Sequence, residues 1–260
     1  MEELRKIVVL SASDDTVIVG GMAVSILAEV YAVYGDAPCI TTDADFLGGH
    51  LAIEESERQL AGYALRKYLA TLDDQATPNS GKLAVNIGPN VAPVEIDFLL
   101  RIDGLSTDEI EEKAVRVEID HKLVRVMHPV LLLENKLNNL ALYPAKRDEA
   151  GINQARLAIA IARAYVLRLV QEADTVRSGL VAIERIVRYA QREASCYVHK
   201  AFGLEVLAAI PAADAALPRS FAVKRWPQVL ELVTERRAKF DRLWQRTAPA
   251  SDLKSKRFRV

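Results

Sequence analysis

VIVGGMAVSIL, residues 17–27, runs from a β-branched segment through a glycine pair into an apolar helical pattern. Val, Ile and Thr fit extended backbone, so Thr16–Val19 predicts a strand. Gly20 and Gly21 permit a tight turn out of it, and no breaker interrupts the helical pattern from Gly21 to about Tyr34. Gly35, Asp36 and Pro38 end that helix ahead of CITTDADFL, residues 39–47. Asp43 and Asp45 are two residues apart there, so on a strand both side chains leave the same face. PVEIDFLL, residues 93–100, is a second strand-like run, with Val94, Ile96 and Phe98 on one face and Glu95 and Asp97 on the other.

Aspartate is disfavoured in strands, and all three aspartates flank otherwise apolar segments. Brought together without a cation they repel one another. Two divalent ions relieve that repulsion and serve phosphoryl-type transfer. Carboxylate oxygens suit magnesium, with manganese as a substitute. The backbone N–H groups of Gly20 and Gly21, at a helix start with no Cβ in the way, suit triphosphate oxygens. Thr41 or Thr42 offers a hydroxyl to phosphate, although β-branched residues also simply fit strands. Lys136, in the apolar helical stretch PVLLLENKLNNL, is placed to reach a phosphate as a point charge, unless its polar neighbours make a solvated face.

Read in order, these residues resemble the nucleotidyltransferase superfamily that includes DNA polymerase beta. Its signature is a Gly-Gly or Gly-Ser pair opening a helix, then Asp-x-Asp, then a third acidic residue on a neighbouring strand. Within it the chain looks most like the AbiEii toxin branch, found in bacterial abortive-infection and toxin–antitoxin systems. Gly20, Gly21, Met22 and Ala23 match its Gly-Gly-x-Ala, Thr41 its Ser or Thr before the first Asp, Lys136 its helix lysine, and Lys146-Arg147-Asp148 its basic-Asp step. Two positions depart. Cys39 stands where the branch commonly has Arg, and Gly151-Ile152 replace a second Asp beyond the basic-Asp step.

The resemblance implies NMP transfer from an NTP to an acceptor hydroxyl, with Asp43 and Asp45 on the ion that holds the triphosphate. Both would share the second ion with Asp97, which is also the candidate base. A nucleotide-binding role falls to Gly20, Gly21, Thr41, Thr42 and Lys136.

The chain has 260 residues, 50% hydrophobic, and a formal net charge of −1, enough to bury a substantial core. No apolar run is long enough to span a membrane, MEELRKIVVL lacks a signal-peptide layout, and two cysteines do not make a disulfide framework, so a cytoplasmic protein is expected. The small net charge hides a split. Residues 1–130 hold 11 Lys/Arg against 22 Asp/Glu, and residues 131–260 hold 23 against 13. The basic half favours a polyanionic partner, and Arg185, Arg188 and Arg192 lie at helical spacing within it. A solvated arginine face is the plainer reading of that stripe.

Short strand-like and helix-like segments alternate up to His128-Pro129. A helix from Glu54 to about Leu72, strands at Lys82–Ile87 and Val94–Arg101, a short helix capped by Ser106 and Glu109, and a hairpin of Val115–Ile119 with Leu123–Met127 are expected. Long helical patterns follow, from Val130 to Leu142, Arg147 to Val170, Thr175 to Ile210 and Phe221 to Gln245, with Pro227 in the first turn of the last or breaking it. The expected architecture is α+β: a mixed sheet with flanking helices over residues 1–128, then an α-helical domain over 129–260 that completes the site and binds the acceptor. RNA is the first acceptor to consider, with tRNA among the candidates, and an antitoxin protein is the implied partner. A small-molecule nucleotidyltransferase and a non-catalytic binding module are the alternatives.

Overall fold

The computed structural model describes residues 2–35, 41, 43–70 and 78–247. The chain divides into two compact units, Met1–Val30 with Pro38–Asn135, and Tyr31–Ala37 with Lys136–Val260.

The first unit is built on a mixed sheet. Its strands among the described residues are β1 (Val17–Val19), β2 (Asp43–Leu47), β3 (Ala64–Leu69), β4 (Asn79–Asn86), β5 (Val94–Leu99), β6 (Val115–Ile119) and β7 (Lys122–Val126). They lie in the order β3-β4-β5-β2-β1-β7-β6. β2 runs parallel to β5 and β1 parallel to β7, while the other neighbours are antiparallel. β1 is fully buried, as its unbroken apolar run requires. β2 and β5 alternate as expected. Ala44, Phe46, Ile96 and Phe98 fill the core face, with the Phe46 and Phe98 rings stacked 5.7 Å apart, and the acidic residues take the other.

Helix α1 (Glu2–Ser11), which the sequence pattern left unassigned, packs beside α3 (His50–Gln59), and α3 covers β4. Lys122 Nζ donates to the carbonyls of Val9 at 2.8 Å and Ala12 at 2.7 Å, satisfying groups that the end of α1 exposes. Helix α2 (Gly20–Val30) follows β1 directly and stops four residues short of the expected Tyr34, where Ala32 takes a φ of 51°. Ser106 caps α4 (Thr107–Lys113) by accepting from the Glu109 N–H, as its spacing predicted.

The expected helix from Glu54 to Leu72 is corrected. α3 ends at Gln59, the chain turns around Ala61-Gly62, and residues 64–69 form β3 instead. Helical periodicity lost there to the ladder, because each residue from Ala64 to Leu69 pairs with one between Asn86 and Gly81 on β4.

The second unit is helical: the second half of α5 (Pro129–Leu142), then α6 (Glu149–Gln171), α7 (Val176–Ala190), α8 (Glu193–Phe202) and α9 (Trp226–Thr247). The single helix expected over Thr175–Ile210 is broken twice. Gln191 and Arg192 turn back onto the last carbonyls of α7, and Gly203 closes α8 with φ +66° and an N–H to the His199 carbonyl. Pro227 sits in the first turn of α9, behind a wide turn over Phe221–Arg225.

Candidate active site

The aspartates converge through strand register. Asp45 on β2 and Asp97 on β5 are direct partners in the parallel pair, and Asp43 lies opposite Glu95 one pleat along. Parallel neighbours are about 4.8 Å apart, so all four carboxylates share one patch of the solvent-side face. Each of Asp43, Asp45 and Asp97 is partly exposed, unlike the buried residues between them. Among the described residues no group of three or more His, Cys, Asp or Glu side chains is placed to hold a metal ion.

Gly20 lies beneath Asp45. Its φ is +65°, a conformation that L side chains rarely adopt, and a Cβ built there would stand 1.8 Å from Asp45 Oδ2. Two independent constraints therefore demand glycine at this position. Gly20 also begins α2, so the Gly20–Gly21 backbone and the Asp45 carboxylate are neighbours. Thr41 is buried, and its hydroxyl is turned to Asp43, with Oγ1 2.7 Å from Oδ1. It orients that carboxylate. Thr42 and Cys39 lie outside the described residues.

Residues that the motif did not single out surround Asp97. Lys82 on β4 is its antiparallel partner, with Nζ 3.5 Å from Asp97 Oδ1 and 2.8 Å from Glu95 Oε2. Asn79 Nδ2 lies 3.4 Å from the same Asp97 oxygen. Burial pushes the Asp97 carboxyl above its ordinary range, Lys82 opposes that shift, and the like charges of Glu95 and Asp43 add to it. Lys82 was visible in the sequence as a polar residue of an alternating strand, but its pairing depends on how the turn at Gly88-Pro89-Asn90 sets the register.

Lys136 belongs to the second unit and is 6% exposed, its Nζ donating to Gln154 Oε1 at 2.8 Å. The solvated-face alternative is overturned, since Glu134, Asn135 and Asn138 on the same helix are buried too. The Arg147-Asp148 step has a structural task. Arg147 donates to the Leu140 and Ala141 carbonyls at the end of α5, and Asp148 caps α6 by accepting from the Gly151 N–H at 2.8 Å. A Cβ at Gly151 would stand 1.9 Å from the Lys146 carbonyl oxygen, so this turn has no room for an Asp there. Of the arginine stripe, Arg188 and Arg192 are exposed and Arg185 half-buried.

No protein-family model and no curated protein matches the chain. Among solved structures it is similar to an antigenic nucleotidyltransferase-like protein from Paracoccidioides brasiliensis, at 18% identity and TM-score 0.41 over 70% of this chain and 93% of that one. It is also similar to JHP933 from Helicobacter pylori, at 15% identity and TM-score 0.41 over 94% of each chain. The Megavirus polyadenylate synthase overlaps 97% of this chain and 51% of its own, at 12% identity and TM-score 0.40. Overlaps this loose carry no functional inference.

Proposed function

We propose that the chain is a cytoplasmic, magnesium-dependent nucleotidyltransferase that moves an NMP from an NTP to an acceptor hydroxyl, RNA first among acceptors. The observation that carries this reading is the pairing of Asp45 with Asp97 across parallel strands, with Asp43 on the same face and Gly20 under the Asp45 carboxylate. The donor set fits magnesium by type, with the paired Asp45 and Asp97 as the carboxylates that would hold it. Magnesium is commonly held by one or two carboxylates and completes its octahedron with water and substrate phosphates. When bound, it supplies charge neutralisation and a lowered pKa at the acceptor hydroxyl.

The chain's own groups then divide the work. The Gly20–Gly21 backbone offers N–H groups to the triphosphate, and Thr41 holds Asp43 in orientation. Asp97, its pKa raised by burial, receives the hydroxyl proton as the oxygen attacks the α-phosphorus. The bond from the α-phosphorus to the bridging oxygen breaks, and pyrophosphate leaves with the electron pair.

The motif order further supports an AbiEii-like toxin paired with an antitoxin. Incubation with each labelled NTP, magnesium and total RNA tests the reading, with Asp43→Ala as control. Label in RNA that disappears in the variant supports it. Label transferred only to a small molecule replaces the acceptor, and absence of any nucleotide binding leaves a binding module.

A further inference from the structure

The face that carries the aspartates does not end at them. Register extends one row of side chains across four strands: Asp45 opposite Asp97, Asp97 opposite Lys82, and Lys82 opposite Tyr68. A second row runs from Asp43 through Glu95 and Ala84 to Arg66. Within each row the side chains leave the sheet on one side. Continuing from Glu95 at the margin of the carboxylates, Arg66, Tyr68, Lys82 and Ala84 line with it an open trough of about 530 Å³. Tyr68 is 53% exposed, an uncommon state for a large aromatic ring, and Arg66 beside it is exposed as well. Ala84, between Arg66 and Glu95 in the second row, leaves the floor low.

We infer that this trough is the landing platform for the acceptor, a single-stranded polynucleotide, with Tyr68 stacking on a base and Arg66 contacting a phosphate. The inference rests on the nucleotidyltransferase reading and moves the acceptor's terminal nucleotides from the helical unit to the catalytic sheet. An exposed ring flanked by cations is what single strands select, since every base has a π-face and every linkage a charge. A duplex offers no free base face to Tyr68. The geometry also gives direction. The row from Tyr68 to Asp45 crosses three strand spacings, about 14 Å, and ends at the carboxylates where a 3′-hydroxyl would be activated. Lys82 stands midway, shared between the acidic site and the trough.

The test is anisotropy of a labelled single-stranded RNA on the full chain, without NTP or metal, for wild type, Tyr68→Ala, Tyr68→Phe and Arg66→Ala. Tyr68→Ala is expected to weaken binding roughly 5- to 100-fold while Tyr68→Phe keeps it. Arg66→Ala should lower the slope of log affinity against log salt by about 0.7. Because both residues are exposed, thermal unfolding serves as the control for folding. Unchanged binding by Tyr68→Ala and Arg66→Ala, with label transfer to RNA intact, overturns the platform and leaves the activity standing. A wild type that transfers label but binds no single strand also overturns it. Loss of binding in a chain that transfers nothing supports the platform and sinks the transferase reading.

Discussion

Gly20 is the residue on which most constraints meet. Both its φ of +65° and the 1.8 Å approach to Asp45 exclude a side chain. Gly20→Ala should therefore lose about 1–2 kcal/mol of stability from backbone strain and displace Asp45 as well. A misplaced ligand of that kind is expected to cost about 10²-fold in turnover, read in the labelled-NTP assay. Asp97 is the converse case. Its raised pKa means that its charged form is disfavoured in the fold, so its contribution to stability is full below the unfolded pKa and is lost as pH rises through the folded one. Asp97→Asn should be as stable as wild type or more so at pH 7, by urea unfolding, and yet inactive.

At the scale of elements, the join between α5 and α6 is a tight assembly of caps. Arg147 holds the carbonyls of one helix, Asp148 the N–H of the next, and Gly151 fits against the Lys146 carbonyl oxygen. Gly151→Ala should destabilise the helical unit by about 1–3 kcal/mol through overpacking, seen as a lowered urea midpoint. Two ion pairs bind the later helices of that unit. Arg225 holds Glu184 through two nitrogens, at 2.8 and 2.7 Å, and Arg237 holds Glu205 in the same manner at 2.8 and 2.7 Å. The Arg225 hydrogen bond lowers the Glu184 pKa. Burial alone would raise that of Glu205, but Arg237 and the Leu207 N–H together bring it down. Lowered carboxylate pKa values give stability that is present above the unfolded value and lost as pH falls through the folded one. The helical unit should thus loosen below about pH 4.5, and Glu205→Gln should flatten that loss. Trp226 and Trp244, both in this unit, report it by fluorescence.

For the whole molecule, the charge split is the property with the widest reach. The acidic excess of residues 1–130 includes the carboxylate patch, and the basic excess of residues 131–260 includes the exposed Arg188 and Arg192. If the helical unit adds phosphate contacts to those of the sheet, Arg188→Ala with Arg192→Ala should reduce the salt slope of RNA binding by about 1.4, two contacts at about 0.7 each. No described helix is long and apolar enough to cross a membrane.

Local pattern was enough for some of this. The alternation of Val94, Ile96 and Phe98 with Glu95 and Asp97 fixed which face each took, because a strand's period is two and a buried face tolerates no slip. The glycine pair after β1, the Ser106 cap and the β6–β7 hairpin were written in turn and capping chemistry, which acts over a few residues. What sits far apart in the chain was not readable there. Residues 64–69 carry a helical pattern and became a strand because β4 offered six partners. Lys82 faces Asp97, Tyr68 extends the acidic row, and Asp45 lies over Gly20, through pairings between residues about 14 to 25 positions apart. Such contacts depend on register and close approach, energies that exist only once the sheet has assembled.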